Sequence, residues 1–250
     1  MAVGPLVLYG CATHAAEFPA TDVRGPSAVR GHIAVRTGKP GMVVAAPHGT
    51  SDVRTGDIAA EIARRTGFGL VVATGFAIEA DTRESPGRRF QVNRPFEGTP
   101  GRPPSDDAAT EAARGVYETY ERRVREAAQG PLRFYCEIHG NNHPDSAGRI
   151  EIATVGISRE LALRLRTLVE LVRDAHLRVH RHAPSLAVLI EPADMLRYTA
   201  SGAKRDGILK LPQRALHIEL PRAARVEFQQ VYTAILADFI AQAATLPVGR

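Results

Sequence analysis

The chain has 250 residues, of which 44% are hydrophobic and 24% charged, as is ordinary for a soluble globular protein. Its net charge of +5 is the excess of 32 Lys and Arg over 27 Asp and Glu, and because these basic residues are spread along the chain, the charge does not predict nucleic-acid binding. The two cysteines are too few for a disulfide framework or a cysteine-rich zinc module. Because no stretch is long enough to span a membrane and residues 1–15 contain no Lys or Arg, we expect a cytoplasmic protein without membrane contact.

Strand and helix patterns alternate along the first third of the chain. The predicted elements are an edge strand at 32–36, a turn at 37–41, a buried strand at 43–46, a helix at 57–66 that ends at Gly67, and a buried strand at 69–74. This order predicts a right-handed crossover between two parallel strands.

A loop of different character, at about 79–106, interrupts the alternation. It is polar, rich in Pro, Gly and Arg, and long enough to be either functional or disordered. After it we predict helices at 106–129, 158–175 and 223–244, and strands at 132–138, 150–155, 186–190 and 216–221. The sequence therefore predicts one α/β domain over 1–250, with three αβα layers and a central, mostly parallel or mixed sheet.

A histidine follows the buried strand at 43–46. Pro47 ends this strand, so His48 lies at its carboxyl end, with Asp52 four residues later. In open α/β sheets, ligands bind at the carboxyl ends of strands, and zinc binds imidazole nitrogen and carboxylate oxygen. Our hypothesis is that His48 and Asp52 are two ligands of a catalytic zinc ion.

The strand at 132–138 ends in the same way, at His139 and Gly140. Two histidines at two strand ends can converge over one edge of a sheet. With Asp52 they give the two-histidine, one-carboxylate set of several zinc hydrolases, with one zinc ion per chain. His143 and Glu137 are nearby substitutes, and each histidine alone could simply end a strand in solvent.

Arginines and an asparagine cluster in the loop, at residues 88–95. The planar fork of Arg fits a carboxylate, and Asn adds a donor, so the cluster suits a grip on a carboxylate-bearing substrate. An arginine near the metal could also stabilise an oxyanion. A solvated basic loop is an equally good interpretation of the cluster alone.

Glu219 lies in the predicted strand at 216–221. A buried carboxylate is costly unless it is paired, binds metal or is functional. We predict that Glu219 is the general base, which takes a proton from water and passes it to the leaving amine. The alternative is an edge-strand carboxylate that reaches solvent.

Four of these motifs, in order, resemble the N-formylglutamate amidohydrolase family of the zinc-dependent phosphorylase/hydrolase-like fold, which is related to metallocarboxypeptidases. Its Pro-His pair with an acid four residues on is similar to Pro47-His48 and Asp52. Its Arg-x-x-Asp-Leu-Asn-Arg element resembles residues 89–95, where Gln91 replaces the usual Asp. Its Asp-x-His element resembles residues 137–139, and residues 219–221 are similar to the catalytic Glu strand of metallocarboxypeptidases.

The resemblance implies a role for each of eight residues. The zinc ligands are His48, Asp52 and His139; the base is Glu219; Asn93 and Arg94 grip the substrate carboxylate; and Arg88 or Arg89 steadies the oxyanion. Of the last two, we assign Arg89 to catalysis and Arg88 to substrate binding.

The sequence thus predicts a zinc-dependent hydrolase that cleaves the amide bond of an N-acyl amino acid or a similar carboxylate-bearing substrate. The alternative enzyme is a metallocarboxypeptidase or a poly-γ-glutamate-type peptide hydrolase with the same metal centre. A non-enzymatic alternative is a basic anion-binding module with incidental histidines. The sequence leaves the acyl group, the preferred side chain and the oligomeric state open.

Overall fold

Runs of β-branched and other apolar residues form the strands. The computed structural model describes residues 20–21, 31–78 and 87–247. In chain order, the strands are β1 (Ala20–Thr21), β2 (His32–Arg36), β3 (Lys39–Ala46), β4 (Phe68–Thr74), β5 (Ala77–Ile78), β6 (Arg88–Phe90), β7 (Glu97–Gly98), β8 (Phe134–Asn141), β9 (Arg149–Val155), β10 (Ala187–Ile190) and β11 (Arg214–Pro221).

Eight of these strands form one mixed sheet in the order β1-β2-β4-β3-β8-β11-β9-β10. Strands β4, β3, β8 and β11 run parallel to one another, so their carboxyl ends meet at one edge. Strand β2 is antiparallel to β4, and β9 is antiparallel to β11. The other three strands, β5, β6 and β7, form a small antiparallel sheet.

Helices cover both faces of the main sheet. They are α1 (Thr55–Thr66), α2 (Glu111–Ala128), α3 (Arg159–Leu177), α4 (Ser201–Asp206) and α5 (Gln229–Ala243), with a π-helical turn at Ala223–Glu227. Helices α1, α3 and α5 pack on one face, and α2 packs on the other. The predicted three-layer α/β architecture is therefore confirmed.

The alternation of side chains along each strand explains the two cores. Val44 and Cys136 point into the core with α1, α3 and α5, whereas Val43 and Tyr135 point into the core with α2. Because both faces are buried, the central strands appear in the sequence as continuous apolar runs.

Local sequence patterns also predicted one strand pairing, one helix end and one helix cap correctly. Strands β3 and β4 are parallel, as predicted. Gly67 follows α1 with φ 74°, and its N–H donates to Ala63 O, so the helix ends in the left-handed conformation that favours glycine. Ser158 caps α3 by accepting from the backbone N–H of Leu161.

Several predicted bounds were wrong. The predicted turn at 37–41 lies largely within β3, whose register shifts between Lys39 and Val43. The helix predicted at 106–129 begins only at Glu111, because Thr110 is the residue whose side chain caps it. The strand predicted to end at residue 138 continues to residue 141, because it stays paired with β11 over that length.

Three further predictions need correction. Strand β2 is not an edge strand, because the two-residue β1 pairs outside it. The loop predicted at about 79–106 contains β6 and β7, while its residues 79–86 lie outside the described part. The helix predicted at 223–244 opens with a π-helical turn, in which Phe228 N donates to Ala223 O. In the described ranges, no helix is both long and apolar enough to cross a membrane.

Two glycines, one at the end of α1 and one inside α2, test how backbone conformation determines the effect of an added side chain on stability. Gly67→Ala places a side chain at a left-handed position and is expected to lower the free energy of unfolding by about 1–2 kcal/mol. Gly115→Ala lies inside α2, where the added Cβ meets open space, and is expected to raise the free energy of unfolding by up to about 1 kcal/mol. Urea denaturation measures both, and changes of equal sign would contradict this account.

Candidate metal centre

Four polar side chains, two from β8 and two from β11, lie together on the α2 side of the sheet, near the carboxyl ends of these strands. Glu137 and His139 are two residues apart on β8, and His217 and Glu219 are two apart on β11, so each pair shares a face. The parallel register sets His217 opposite Glu137 and Glu219 opposite His139. Strand pairing alone therefore gathers two histidines and two carboxylates.

The turn after β3 adds two more ligand groups. Asp52 N donates to His48 O over 2.8 Å, which folds this segment back over the strand end. Asp52 Oδ2 lies 3.5 Å from His48 Nδ1, 3.4 Å from His139 Nδ1 and 3.1 Å from the N–H of Gly140. His48, Asp52 and His139 thus offer three ligand atoms within 4.8 Å of one another.

The opposite nitrogens of both rings also have partners. His48 Nε2 lies 3.0 Å from the backbone carbonyl oxygen of Gln91, and His139 Nε2 lies 3.2 Å from Glu137 Oε2. Histidines that bind metal usually donate their other ring N–H to a carbonyl or a carboxylate, which fixes the tautomer and the ring orientation. This arrangement leaves both Nδ1 atoms directed at Asp52.

Glu137 is completely buried and surrounded by donors. Its carboxylate lies 3.0 Å from Tyr135 Oη, 3.3 Å from Asn93 Nδ2, 3.2 Å from His139 Nε2 and 2.9 Å from His217 Nδ1. These contacts fill the acceptor sites of a carboxylate. A second possible metal group, Glu137 with His139 and His217, therefore suits a metal less well than the first.

The charges at the first group favour a cation. Burial would raise the pKa of Asp52, but hydrogen bonds with His139 and His48 hold this pKa well below its usual range. For His139, burial has the opposite effect and would lower the pKa, because it disfavours the charged imidazolium. Contacts with Asp52 and Glu137 outweigh burial and raise this pKa to about 10. Carboxylates on both sides of the His139 ring thus attract positive charge to it. Two imidazoles, one carboxylate and this negative potential fit a divalent metal such as zinc.

Glu219 lies beside this group and is almost completely buried. His217 Nε2 is 3.3 Å from Glu219 Oε1, and Asn141 Nδ2 is 3.5 Å from Glu219 Oε2. The His217 ring stacks on His139, with 4.0 Å between the ring centroids. His217 was not among the residues predicted from the sequence, although its spacing of two residues from Glu219 on a strand was the signal that could have identified it.

Asp107 contacts three side chains of the arginine-rich segment at residues 88–95, the basic loop. Its carboxylate accepts from Arg89 Nη2 over 2.5 Å and from Gln91 Nε2 over 2.6 Å, and it lies 3.7 Å from Arg94 Nη2. Arg89 also donates from Nη1 to the carbonyl oxygen of Arg102 over 2.7 Å. The guanidinium of Arg89, predicted to steady an oxyanion, is therefore held by hydrogen bonds to Asp107 and Arg102, whereas Arg94 has the longer contact with Asp107.

The structure brings seven of the eight predicted site residues to one cavity of about 500 Å³. They are His48, Asp52, Arg89, Asn93, Arg94, His139 and Glu219. Asn93 is only 3% exposed, and its amide points towards Glu137. The backbone of the eighth residue, Arg88, lies in β6, but its side chain is outside the described part of the structure.

Two tyrosines extend the hydrogen bonds of Glu137 to α2, since Tyr120 Oη lies 2.9 Å from Tyr135 Oη. Tyr135→Phe removes a donor from the buried carboxylate and leaves the Tyr120 hydroxyl unpaired, so we expect a loss of about 1–3 kcal/mol in the free energy of unfolding. Tyr120→Phe leaves the bond from Tyr135 to Glu137 intact and should cost less, about 0.5–1.5 kcal/mol. Chemical denaturation of the two variants measures the order, and the reverse order would refute this role of Glu137.

Comparison with protein-family profiles and with curated proteins gives no match. The chain is similar in structure to a bacteriophage poly-γ-glutamate hydrolase, with 15% identity, coverage of 88% of this chain and 90% of that chain, and a TM-score of 0.51. It is also similar to the gene product Atu2144 of Agrobacterium tumefaciens, with 14% identity, coverage of 84% and 94%, and a TM-score of 0.50. At these identities the likeness shows a shared fold alone, and the chain has the α/β fold of these two proteins.

Proposed function

We propose that the chain is a zinc-dependent hydrolase that cleaves an amide bond next to a carboxylate, as the resemblance to N-formylglutamate amidohydrolases implies. One observation carries the proposal: His48 Nδ1, His139 Nδ1 and Asp52 Oδ2 converge in a cavity that also holds a buried carboxylate, Glu219. Two imidazoles and one carboxylate are a donor set of zinc hydrolases. The shared fold with a bacteriophage poly-γ-glutamate hydrolase supports the same class of reaction.

His48, Asp52 and His139 would hold the zinc ion. Zinc bound there supplies Lewis-acid polarisation of the substrate carbonyl and lowers the pKa of water. The protein contributes the orientation of the ligands: the carbonyl oxygen of Gln91 and the carboxylate of Glu137 fix the two imidazole rings. The N–H of Gly140 steadies the oxygen of Asp52 that both rings face.

Glu219 is the proposed base. Its carboxylate takes a proton from the attacking water and delivers it to the nitrogen of the leaving amine. His217 and Asn141 each contact one of its two oxygens, so the carboxylate is held at the cavity instead of rotating freely. Strand β11 fixes the backbone, because it is paired on both sides, by β8 and β9.

Arg94 is the best-placed grip for a substrate carboxylate. It lines the cavity, its side chain is 22% exposed, and its Nη2 atom lies 3.7 Å from the carboxylate of Asp107. Arg89 is bound to Asp107 and adds positive charge to the same wall. We retain Arg88 and Asn93 as substrate-binding residues from the sequence resemblance, and Asn93 would need a side-chain rotation to reach a substrate.

A longer peptide substrate is the second candidate. Arg94 and Ser201 line both the main cavity and a second cavity of about 250 Å³, which also contacts Arg205. This neighbouring space favours a substrate that extends beyond one amino acid, as in a carboxypeptidase or a poly-γ-glutamate-type hydrolase. Relative rates on a panel of N-acyl amino acids and peptides separate the two. Salt-dependent binding of anionic polymers without bound zinc would instead favour the anion-binding module.

The metal site gives a direct prediction. The purified protein is expected to bind one zinc ion per chain, and His48→Ala or Asp52→Ala to weaken zinc binding by more than about 100-fold, because each removes one of three ligands. His217→Asn keeps a donor near Glu137 and should retain zinc. Isothermal titration with zinc measures all three variants.

His176→Ala is the control for histidine loss, because His176 pairs with Asp238 away from the cavity. It should bind zinc as the wild type does. If His217→Asn loses zinc while His48→Ala keeps it, the metal belongs to the Glu137 group and our assignment fails.

The base gives a separate prediction. With the substrate that the wild type hydrolyses fastest in the panel, Glu219→Gln is expected to lower kcat by about 10²–10⁴-fold, because the amide cannot accept the proton. Its zinc content should not change. Glu227→Gln, which alters an exposed ion pair with Arg222, is the control and should keep full activity. A kcat within twofold of the wild type for Glu219→Gln would exclude Glu219 as the base.

A further inference from the structure

The π-helical turn after β11 carries a buried arginine. The turn spans Ala223–Glu227, and Arg225 within it is only 2% exposed. Isolated π-helical turns are uncommon and frequently occur at functional sites. A buried guanidinium is costly unless its donors are satisfied.

The guanidinium of Arg225 contacts three separate parts of the chain. Nε donates to Leu220 O over 3.3 Å, and Nη1 donates to Val53 O over 2.9 Å. Nη2 donates to Asn141 O over 3.3 Å and to Asn142 Oδ1 over 2.6 Å. All four acceptors are neutral oxygens, and among the described residues no carboxylate lies within ion-pair distance of Arg225.

Each contacted segment adjoins a residue of the proposed site. Val53 follows Asp52 directly, Leu220 follows Glu219 directly, and Asn141 lies two residues after His139. We propose that Arg225 is the positioning residue that fixes the metal-ligand segments and the base segment relative to one another. This inference rests on the proposed function and goes beyond it, because Arg225 does not line the cavity in which metal and substrate would bind.

Gly140 provides independent support. A Cβ at this position would lie 2.4 Å from Arg225 Nε, which is closer than real contacts allow. Gly140 therefore leaves the space through which the guanidinium reaches the neighbouring segments. Its own N–H donates to Asp52 Oδ2, so the residue that admits Arg225 also contacts a proposed ligand.

Geometry and charge predict opposite effects of removing Arg225. A positive charge near Asp52 repels a metal cation, so loss of charge alone would strengthen zinc binding. Loss of the fixed fork frees three segments and weakens zinc binding, and residues that orient metal ligands typically contribute about 10–100-fold in affinity. Lysine keeps the charge but cannot reproduce the planar fork. Weaker zinc binding after removal of Arg225 therefore indicates a positioning effect, and tighter binding indicates a charge effect.

The experiment measures zinc affinity by titration of the metal-free proteins, together with the visible spectrum after Co²⁺ substitution, which reports ligand geometry. Arg225→Lys and Arg225→Ala are both expected to bind zinc about 10–100-fold more weakly than the wild type, with a changed Co²⁺ spectrum. The matched control is Arg214→Lys. Arg214 is 8% exposed and also donates to neutral carbonyl oxygens, those of Ala244 and Leu246, at the opposite end of β11. It should lose stability but keep zinc affinity and the Co²⁺ spectrum.

Gly140→Ala tests the same contact from the other side and decides the question even if Arg225→Ala does not fold. In the wild-type background it should weaken zinc binding, because its Cβ displaces the guanidinium. In the Arg225→Ala background it should add little, since the colliding atoms are gone. Unchanged or tighter zinc binding by Arg225→Lys and Gly140→Ala would overturn the positioning role alone. Absence of zinc binding by the wild type would overturn the proposed function as well.

Discussion

Glu137 holds a negative charge at a fully buried position, and such a charge is stable only when donors surround it. Its four donors come from β8, from β11 and from the basic loop: Tyr135 and His139, His217, and Asn93. Fixing this carboxylate therefore fixes His139 by its Nε2 atom and leaves its Nδ1 atom directed at Asp52. The candidate metal centre therefore depends on the hydrogen bonds of a carboxylate that is not itself a proposed ligand.

Much of the architecture could be predicted from local patterns. The two cores make the central strands uniformly apolar, so their positions were visible, and the glycine after α1 marked a true helix end. The reversal of β9 against β11 was not visible, because strand direction in a sheet depends on pairing between distant segments. The end of β8 was placed too early, because His139 and Gly140 look like a loop unless their pairing with β11 is known.

The residues of the candidate site also fall into two groups, those that the sequence pattern reveals and those that it does not. His48, Asp52, His139 and Glu219 were identifiable as polar residues at the ends of apolar runs, and the structure places them at one cavity. Asp107, which holds Arg89 and Gln91, and Arg225, the proposed positioning residue, were not identifiable, because they lie in polar or helical segments with no distinguishing pattern. Their importance comes from contacts with segments as far as 172 residues away in the chain, which spacing cannot reveal.

The proposed ligands differ in how their backbone is held. His139 lies inside β8, where it pairs with Glu219 of β11, whereas Asp52 lies in a turn that precedes α1. A strand loses almost no conformational entropy when a ligand binds to it, but a turn does. In the proposed site, the strand that carries His139 is therefore more preorganised than the turn that carries Asp52. The ordering cost of binding a metal there would fall mainly on this turn, and the contacts from Gly140 to Asp52 and from Arg225 to Val53 reduce that cost.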